Sequence, residues 1–382
     1  MFISNLMLKN WRNFQAVDVS LSERAFVIGP NASGKSNLLD AFRFLRDIAK
    51  EEGGGLQYAI SERGGLSKIR CLAARRYPDV EIEIVLKDHT DSNEKWKYAI
   101  GLRQDNNRNA LLSYEKVWKG EKLILERPDS NDTSDPQRLR QTHLQQINAN
   151  SMFREIWNFF SSITYIHLVP QLLRFPKAFS GGVELSGDPF GRNFLVRIAK
   201  TSERTRRSRL SKIEKALITA VPQLKELKHT IDKAGVPHLE AIYQHWRPQG
   251  AKQQEDQFSD GTLRLIGLFW ALLEDDSLLL LEEPELSLHS SIVSEIPAII
   301  GKLQRSKKRQ IIISTHSADL LSDKSIGGES VLLLKPSVEG TKVSIASEDD
   351  QIRNLLKSGL SIADAVLPLT KPDQVRQLEL AE

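Results

Sequence analysis

Two adjacent glutamates at the end of a leucine run, LLLLEEPELSLH (Leu278–His289), are the first residues whose chemistry needs an explanation. Four aliphatics in a row read as a buried strand. An ionised carboxylate beside a core needs a cation or a metal, because removal from water otherwise drives it neutral. Glu282 and Glu283 therefore either exit into solvent at a strand end or serve a cation. A second segment favours the cation. GPNASGKS (Gly29–Ser36) has the spacing G-x-x-x-x-G-K-S, follows the apolar run RAFVIG and opens NLLDAFRFLRDIAK. Glycines there let backbone N–H groups turn inward around phosphate oxygens, and the helix N-terminus adds partial positive charge. In such a loop Lys35 reaches the β- and γ-phosphates and the Ser36 hydroxyl binds Mg²⁺. A second acid, at the end of a neighbouring strand, then has to hold the metal shell. Glu282 stands where that acid belongs, and Glu283 where a carboxylate accepts a proton from an attacking water.

The elements that must position these groups follow from periodicity. Residues 2–9, 17–21 and 24–29 read as strands, the last ending at the glycine-rich turn. Leu38, Leu39, Phe42, Leu45 and Ile48 recur at helical spacing after Ser36. VEIEIVL and KWKYAIGL read as paired antiparallel strands, followed by YEKVWK and EKLILE. RPDSNDTSDPQ (Arg127–Gln137) reads as an exposed loop. From about 138 to 225 the pattern is mostly helical, interrupted by the strand-like TYIHLVP (Thr164–Pro170) and the glycine-rich SGGVELSGDPFG; RLSKIEKALITAVPQLKEL suits a helix pair, and residues 228–247 a hairpin. TLRLIGLFWALLEDD is an apolar helix, and SLLLLEEPE a strand. SLHSSIVSEIPAIIGKLQRSKK reads as a helix, RQIIISTHSADLL as strand and turn, and VLLLKP with TKVSIAS as a closing hairpin.

Composition narrows the classes. The chain has 382 residues, enough for one large domain or two ordinary ones, and its 40% hydrophobic and 27% charged residues are those of a globular protein. A net charge of +4 carries no bulk signature for nucleic acid, so any basic surface is local. The single cysteine, Cys71, excludes a disulfide framework and a cysteine-based zinc site. With no apolar h-region near Met1 and no run approaching a membrane span, the expectation is a cytoplasmic protein without membrane contact.

Four motifs in order carry a resemblance. GPNASGKSN, FSDGTLR (Phe258–Arg264), LLLLEEPELSLH and IIISTHSADLL (Ile311–Leu321) resemble those of ATP-binding-cassette (ABC) ATPases. The opening LMLKNWRNF, with GKSNLLDAF, is similar to the branch holding the SMC, RecF and overcoming-lysogenization-defect (OLD) proteins. The resemblance implies an α/β P-loop fold of the ABC-ATPase head type, with a mixed central sheet, an antiparallel β subdomain and a helical insert. The expected division is 1–130, with P-loop and antiparallel subdomain; 131–250, a mainly helical insert; and 251–382, with the remaining motifs.

The resemblance also assigns residues. Gly29, Pro30, Asn31, Ala32, Ser33, Gly34, Lys35, Ser36 and Asn37 would bind ATP. Ser36 and Glu282 would hold Mg²⁺, with Glu283 and His316 catalytic. Ser259, Asp260, Gly261 and Thr262 would form the signature, at a helix N-terminus facing the ATP of a second subunit. That implies a head-to-head homodimer, or a higher oligomer built from it. His289 takes the place of the D-loop aspartate. Arg12, within Lys9–Phe14, is offered for stacking or phosphate contact near the base. Asp260 departs from the glycine of the commonest signature, Glu282 from the usual aspartate and His289 from another. For the Q-loop glutamine only Gln57 can be suggested.

About 220 residues separate the P-loop from the signature, more than a transporter subunit has, and they contain no long heptad arm of the SMC kind. Of two basic runs, Arg197–Arg209 reads equally as a DNA-binding face or a solvated one, and Lys302–Arg309 as solvated. The 66 residues after His316 leave no room for the nuclease domain of OLD proteins, so an effector, such as a nuclease, is expected on a separate chain. The functional expectation is an Mg²⁺-dependent ATPase gating that effector in anti-phage defence or DNA transactions. The alternatives are a RecF-like repair ATPase acting directly on DNA, and an ATP-gated scaffold with negligible turnover.

Overall fold

The computed structural model describes residues 1–371 except 76–77, 90–93, 175–189, 247 and 275–277; residues 180–189 of the glycine-rich loop lie outside the described residues. Its centre is a six-stranded sheet in the order β15–β14–β3–β13–β12–β8. These strands are Gly340–Ile345 (β15), Val331–Ser337 (β14), Arg24–Ile28 (β3), Ile311–Ser314 (β13), Leu279–Glu282 (β12) and Thr164–Ile166 (β8). All neighbours pair in parallel except β14 and β15, which form the closing hairpin. A second, antiparallel sheet runs β2–β1–β4–β5–β6–β7, from Phe14–Ser20 (β2), Phe2–Trp11 (β1), Val80–Lys87 (β4), Glu94–Gln104 (β5), Ala110–Lys119 (β6) and Lys122–Arg127 (β7). A third, small one holds Leu224–Ile231 (β9), Pro237–Tyr243 (β10) and Ala251–Gln254 (β11).

The leucine run is explained by burial on both faces. Side chains along a strand alternate in direction, so an all-aliphatic strand has an apolar layer on each side. Leu278 and Leu280 enter a core shared with the antiparallel sheet and helix α1 (Lys35–Ala49). Leu279 and Leu281 enter the opposite core, shared with α3 (Asp260–Leu273) and α4 (Ile296–Lys307). Ile312 faces the first core and Ile311 and Ile313 the second; Val27 and Phe26 divide likewise on β3.

Several local expectations change. RLSKIEKALITAVPQLKEL is not a helix pair: α2 (Glu203–Ala220) stops before Pro222, and Leu224 already begins β9, which pairs with β10 as the expected hairpin. Proline lacks the N–H a helix interior needs. The helix expected from Ser287 is broken into Ser290–Val293 and α4, with Pro297 in the first turn of α4. The segment Arg127–Gln137 is not a plain exposed loop. Asp129 and Asp132 form a capping box over Ser130–Ser134, and the buried Arg127 binds Asp132 at 2.7 Å and Glu115 at 3.1 Å. The spacing of two acids three residues apart was the available sign. β8 falls within TYIHLVP, the strand-like interruption of the helical stretch, and forms an edge of the central sheet.

Gln310 joins the two large sheets. Its buried side chain accepts from the Ile3 N–H at 2.8 Å and donates to the carbonyls of Ile3 at 2.8 Å and Ser22 at 3.1 Å. Gln310→Leu strands these buried backbone groups without partners. The expected loss of unfolding free energy is about 2–6 kcal/mol, since each of the two fully buried Ile3 groups left orphaned costs about 1–3 kcal/mol. Urea denaturation of the two chains checks this, and a loss below about 1 kcal/mol contradicts it.

Candidate functional site

Parallel pairing brings the C-terminal ends of β3, β13 and β12 side by side. Leu281 pairs with Ile313 and Glu282 with Ser314, while Ser314 pairs with Val27 on its other side. The loops that follow, with the P-loop, Glu283 and His316, open at one edge, where ligands of open α/β sheets commonly bind.

The P-loop is held by its own geometry and by Asn13. Gly34 has φ +97°, and a Cβ there would lie 2.2 Å from the Asn13 side chain, so only glycine fits. Asn13 donates to the Ser33 carbonyl at 2.8 Å and to Thr341 Oγ1 at 2.7 Å, and accepts from Asn37 at 2.8 Å. It thus ties the loop to the β1–β2 turn and to the hairpin of β14 and β15. Lys35 Nζ donates to the carbonyls of Gly29 at 3.1 Å and Pro30 at 3.2 Å. Burial lowers the Lys35 ammonium, against the pull of Glu283, Glu282 and Glu285.

Glu282 follows the parity of Leu280, so its side chain lies on the α1 face. There Ser36 donates to one carboxylate oxygen and the Tyr165 hydroxyl to the other. Tyr165, on β8 opposite Leu280, is buried, with the Arg43 guanidinium 4.3 Å from its ring centre. Burial, then the Glu282 charge, pushes its phenol well above the usual range. Serine hydroxyl and carboxylate are the hard oxygen donors Mg²⁺ prefers, with the rest of its shell coming from water and phosphate. The side chains at this place fit the ion.

Glu283 breaks the parity. Its N–H still bonds to the Ser314 carbonyl at 2.9 Å, but its φ of +45° turns the chain out of the strand. Left-handed backbone is costly for a residue with a Cβ, and such outliers concentrate at functional sites. The turn brings its carboxylate 3.5 Å from His316 Nε2. Burial and then Lys35 lower the His316 imidazolium, so its ring is neutral at pH 7. Behind the pair lies Glu285, which accepts from the Thr315 hydroxyl and, at 3.3 Å, from the His316 N–H. Burial raises its carboxyl above the usual range.

The signature residues sit at the start of α3. Ser259 is its N-cap and accepts from the Thr262 N–H at 3.1 Å; a Cβ on Gly261 would lie 3.0 Å from the Ser287 carbonyl. Asp260 is bound by Arg174 at 2.6 Å and by Gln171 at 3.2 Å. His289 caps Ser290–Val293 through Nδ1 at 3.2 Å from the Ser291 N–H.

Arg12 pairs with Asp40 at 3.1 Å and donates to the Lys68 carbonyl at 3.2 Å. It lines a 230 Å³ cavity with Ser36, Asn37 and Arg43, and a 640 Å³ cavity with Leu72 and Val338. Burial would raise the Asp40 carboxyl, but Arg63, Arg43 and Arg12 together hold it below the usual range. Gln57 is turned to the carbonyls of Ala110 at 3.1 Å and Arg140 at 2.8 Å, on the antiparallel-sheet side.

Tyr165, Asn13 and Glu285 were missed in the sequence. Tyr165 and Asn13 reach the site only through strand pairing and turn placement, which single-sequence periodicity does not encode. Glu285 lay inside the quoted motif, and its odd placement after Pro284 was the available signal.

In the Arg197–Arg209 run, Arg197 pairs with Glu274, Arg206 donates to the carbonyls of Ala199 at 2.8 Å and Thr201 at 3.0 Å, and Arg209 lies over Trp270 at 5.3 Å. Arg207 pairs with Glu203, leaving Lys200 and Arg204 exposed and without an ion-pair partner among the described residues. In the second run, Lys307 donates to the Leu273 carbonyl at 3.0 Å and Arg309 to that of Ala271 at 2.6 Å. Among the described residues, no helix is long and apolar enough to cross a membrane.

A family profile described as "AAA domain, putative AbiEii toxin, Type IV TA system" matches residues 24–323, more than three quarters of the chain. The DNA replication and repair protein RecF of Picosynechococcus is 28% identical over 130 residues, 34% of each chain. Endonuclease GajA of Bacillus cereus is 45% identical over 47 residues, 12% of this chain and 8% of that one. These matches thus span about a third of the relatives' lengths at most. An SMC head solved bound to the C-winged helix domain of ScpA superposes with a TM-score of 0.55 at 15% identity, covering 90% of this chain and 98% of that one. A Pyrococcus furiosus SMC head with an extended coiled coil gives 0.51 at 12%, covering 94% and 99%.

Tyr165→Phe removes one hydroxyl and keeps the ring under Arg43. The expected result is about a 10-fold rise in the Mg²⁺ concentration needed for half-maximal tightening of ATP binding, with metal-free nucleotide affinity unchanged. Calorimetric titrations at graded Mg²⁺ measure both, and an unchanged Mg²⁺ midpoint contradicts the contact's role.

Proposed function

The chain belongs to the AAA-domain family whose profile it matches and is an ABC-type ATPase of the SMC, RecF and OLD branch; from that premise we propose that it binds ATP with Mg²⁺, hydrolyses it, and closes as a head-to-head homodimer around it. The observation that carries the proposal is the Glu283–His316 pair, 3.5 Å apart at the strand ends that also bear the P-loop.

Lys35 exchanges the carbonyls of Gly29 and Pro30 for the β- and γ-phosphates. Ser36 and Glu282 would hold Mg²⁺, which would neutralise charge on the phosphate oxygens. Glu283 accepts a proton from water as the water oxygen bonds to the γ-phosphorus and the bond to the ADP oxygen breaks. His316, neutral, orients that water, and Glu285 fixes the backbone from which it projects. Arg12 lines the cavity beside Ser36, from which it would stack on the base or contact phosphate. Ser259, Gly261 and Thr262 of a second copy complete each site, with His289 near the junction. ATP shifts the population toward the closed dimer only because it touches both copies there. We take 1–130 and 251–382 as the two ATPase lobes and 131–250 as the insert, β8 apart. The dimer gates a separate effector, and the short GajA match supports a nuclease for that role.

Direct action on DNA is the second reading, favoured by the RecF matches. The engagement of Arg197, Arg206, Arg207 and Arg209 by the protein's own groups leaves few cations for it. Under that reading Lys200→Glu with Arg204→Glu lowers salt-sensitive DNA affinity about 10-fold or more, in a mobility-shift titration, while ATP turnover stays unchanged. Unchanged DNA affinity removes these residues from the DNA reading.

Steady-state phosphate release by the purified chain, against Glu283→Gln, tests the main proposal. Loss of the base is expected to cost about 10²–10⁴-fold in rate while ATP affinity is kept. Equal turnover in both chains contradicts the assignment of Glu283. Binding without turnover in either favours the ATP-gated scaffold.

A further inference from the structure

An acid at the first position of α3 poses a physical problem. Under the reading above, this helix N-terminus receives the γ-phosphate of the ATP held by a second copy. Asp260 already satisfies the helix dipole with its own negative charge, and its carboxylate repels an incoming anion. A glycine at this place would leave the dipole open.

The structure supplies a counter-charge from outside the signature. Arg174 closes the short helix Pro170–Arg174, which follows β8. One of its terminal nitrogens donates to Asp260 Oδ1 at 2.6 Å and to the Phe258 carbonyl at 2.6 Å, and Gln171 donates to the other Asp260 oxygen at 3.2 Å. The segment is seated by packing. Leu173 is buried, and Leu168 packs so closely on α3 that a Cβ on Gly267 would lie 2.2 Å from it. The Arg174 Nε is buried and has no hydrogen-bond partner among the described residues. Arg264, one turn along α3, lies in the field of Asp260, Glu283 and Glu285, but among the described residues it forms no ion pair with Asp260.

We propose that Arg174 is a positioning residue for the ATP of a second copy: by neutralising Asp260 it makes the N-terminus of α3 able to accept a γ-phosphate. The inference rests on the head-to-head reading. Docking then depends on the segment 170–174 staying seated, and Asp260 is the element that creates this dependence. In a chain without the acid, Arg174 would be dispensable for docking.

Sedimentation of the full chain with Mg²⁺ and a non-hydrolysable ATP analogue tests this on five proteins: wild type, Arg174→Ala, Arg174→Lys, Asp260→Asn and the double variant Arg174→Ala/Asp260→Asn. Arg174→Ala should weaken analogue-dependent dimerisation about 10-fold or more, while analogue binding to the monomer's own P-loop is unchanged. Arg174→Lys, which keeps the charge, should stay within about 3-fold of wild type. Asp260→Asn should dimerise at least as tightly as wild type, and the double variant should recover to within about 3-fold. Recovery in the double variant, with the unfolding midpoint of the monomer unchanged in all five proteins, ties the loss of docking to the uncompensated Asp260 charge, because the arginine is still missing. A double variant as weak as Arg174→Ala, or an Arg174→Ala chain as tight as wild type, overturns the inference alone. A wild-type chain that binds the analogue yet stays monomeric overturns the head-to-head reading, and this inference with it.

Discussion

Burial of the central strands on both faces is the constraint from which the rest follows. β3, β13 and β12 carry aliphatic side chains into two cores at once, so no polar group can project from their middles without losing water. Chemistry is thereby confined to the strand ends. Parallel pairing then places three such ends next to one another. The P-loop after β3, the acids after β12 and His316 after β13 become neighbours although nearly 290 residues separate the first from the last. The two cores also set direction: the alternation that sends Leu280 toward α1 sends Glu282 to Ser36 at the start of the same helix.

Most of this frame was legible in the residues. The four motifs carried it, because each has a local physical cause: glycines for a phosphate loop, an aliphatic run for a doubly buried strand, acids at its end. What was illegible depended on which strand lies beside which. Tyr165 sits in a stretch that reads as a strand, but only its pairing across from Leu280 brings its hydroxyl to Glu282. Asn13 looked like one more polar turn residue, and its three partners come from segments as far as 328 positions away. The misread helix pair around Pro222 and the misread loop at Arg127–Gln137 are of another kind. There the local signals, a proline and a capping box, were present and were outweighed by the general tone of the composition.

The basic runs show the opposite error, in which charge invites a ligand that the fold does not need. Most of the arginines between 197 and 209 hold helix ends, pair with acids or cover Trp270. Arg309 and Lys307 similarly satisfy carbonyls at the end of α3. Arginine does this well because its stem packs on apolar surface while its fork satisfies several acceptors. A cluster of cations in a sequence is therefore a statement about carbonyl ends and buried acids as often as about phosphates.

The backbone of Glu283, turned to φ +45°, carries a trade-off that heredity cannot avoid. Glycine adopts that conformation without strain, so the substitution that relaxes the backbone most is also the one that deletes the carboxylate. With Glu283 as the proposed base, any lineage drifting toward greater thermal robustness meets, at this codon, a route that ends in an inert protein. Heat tolerance must then be gained elsewhere in the chain, and the strain at position 283 is inherited for as long as turnover is selected.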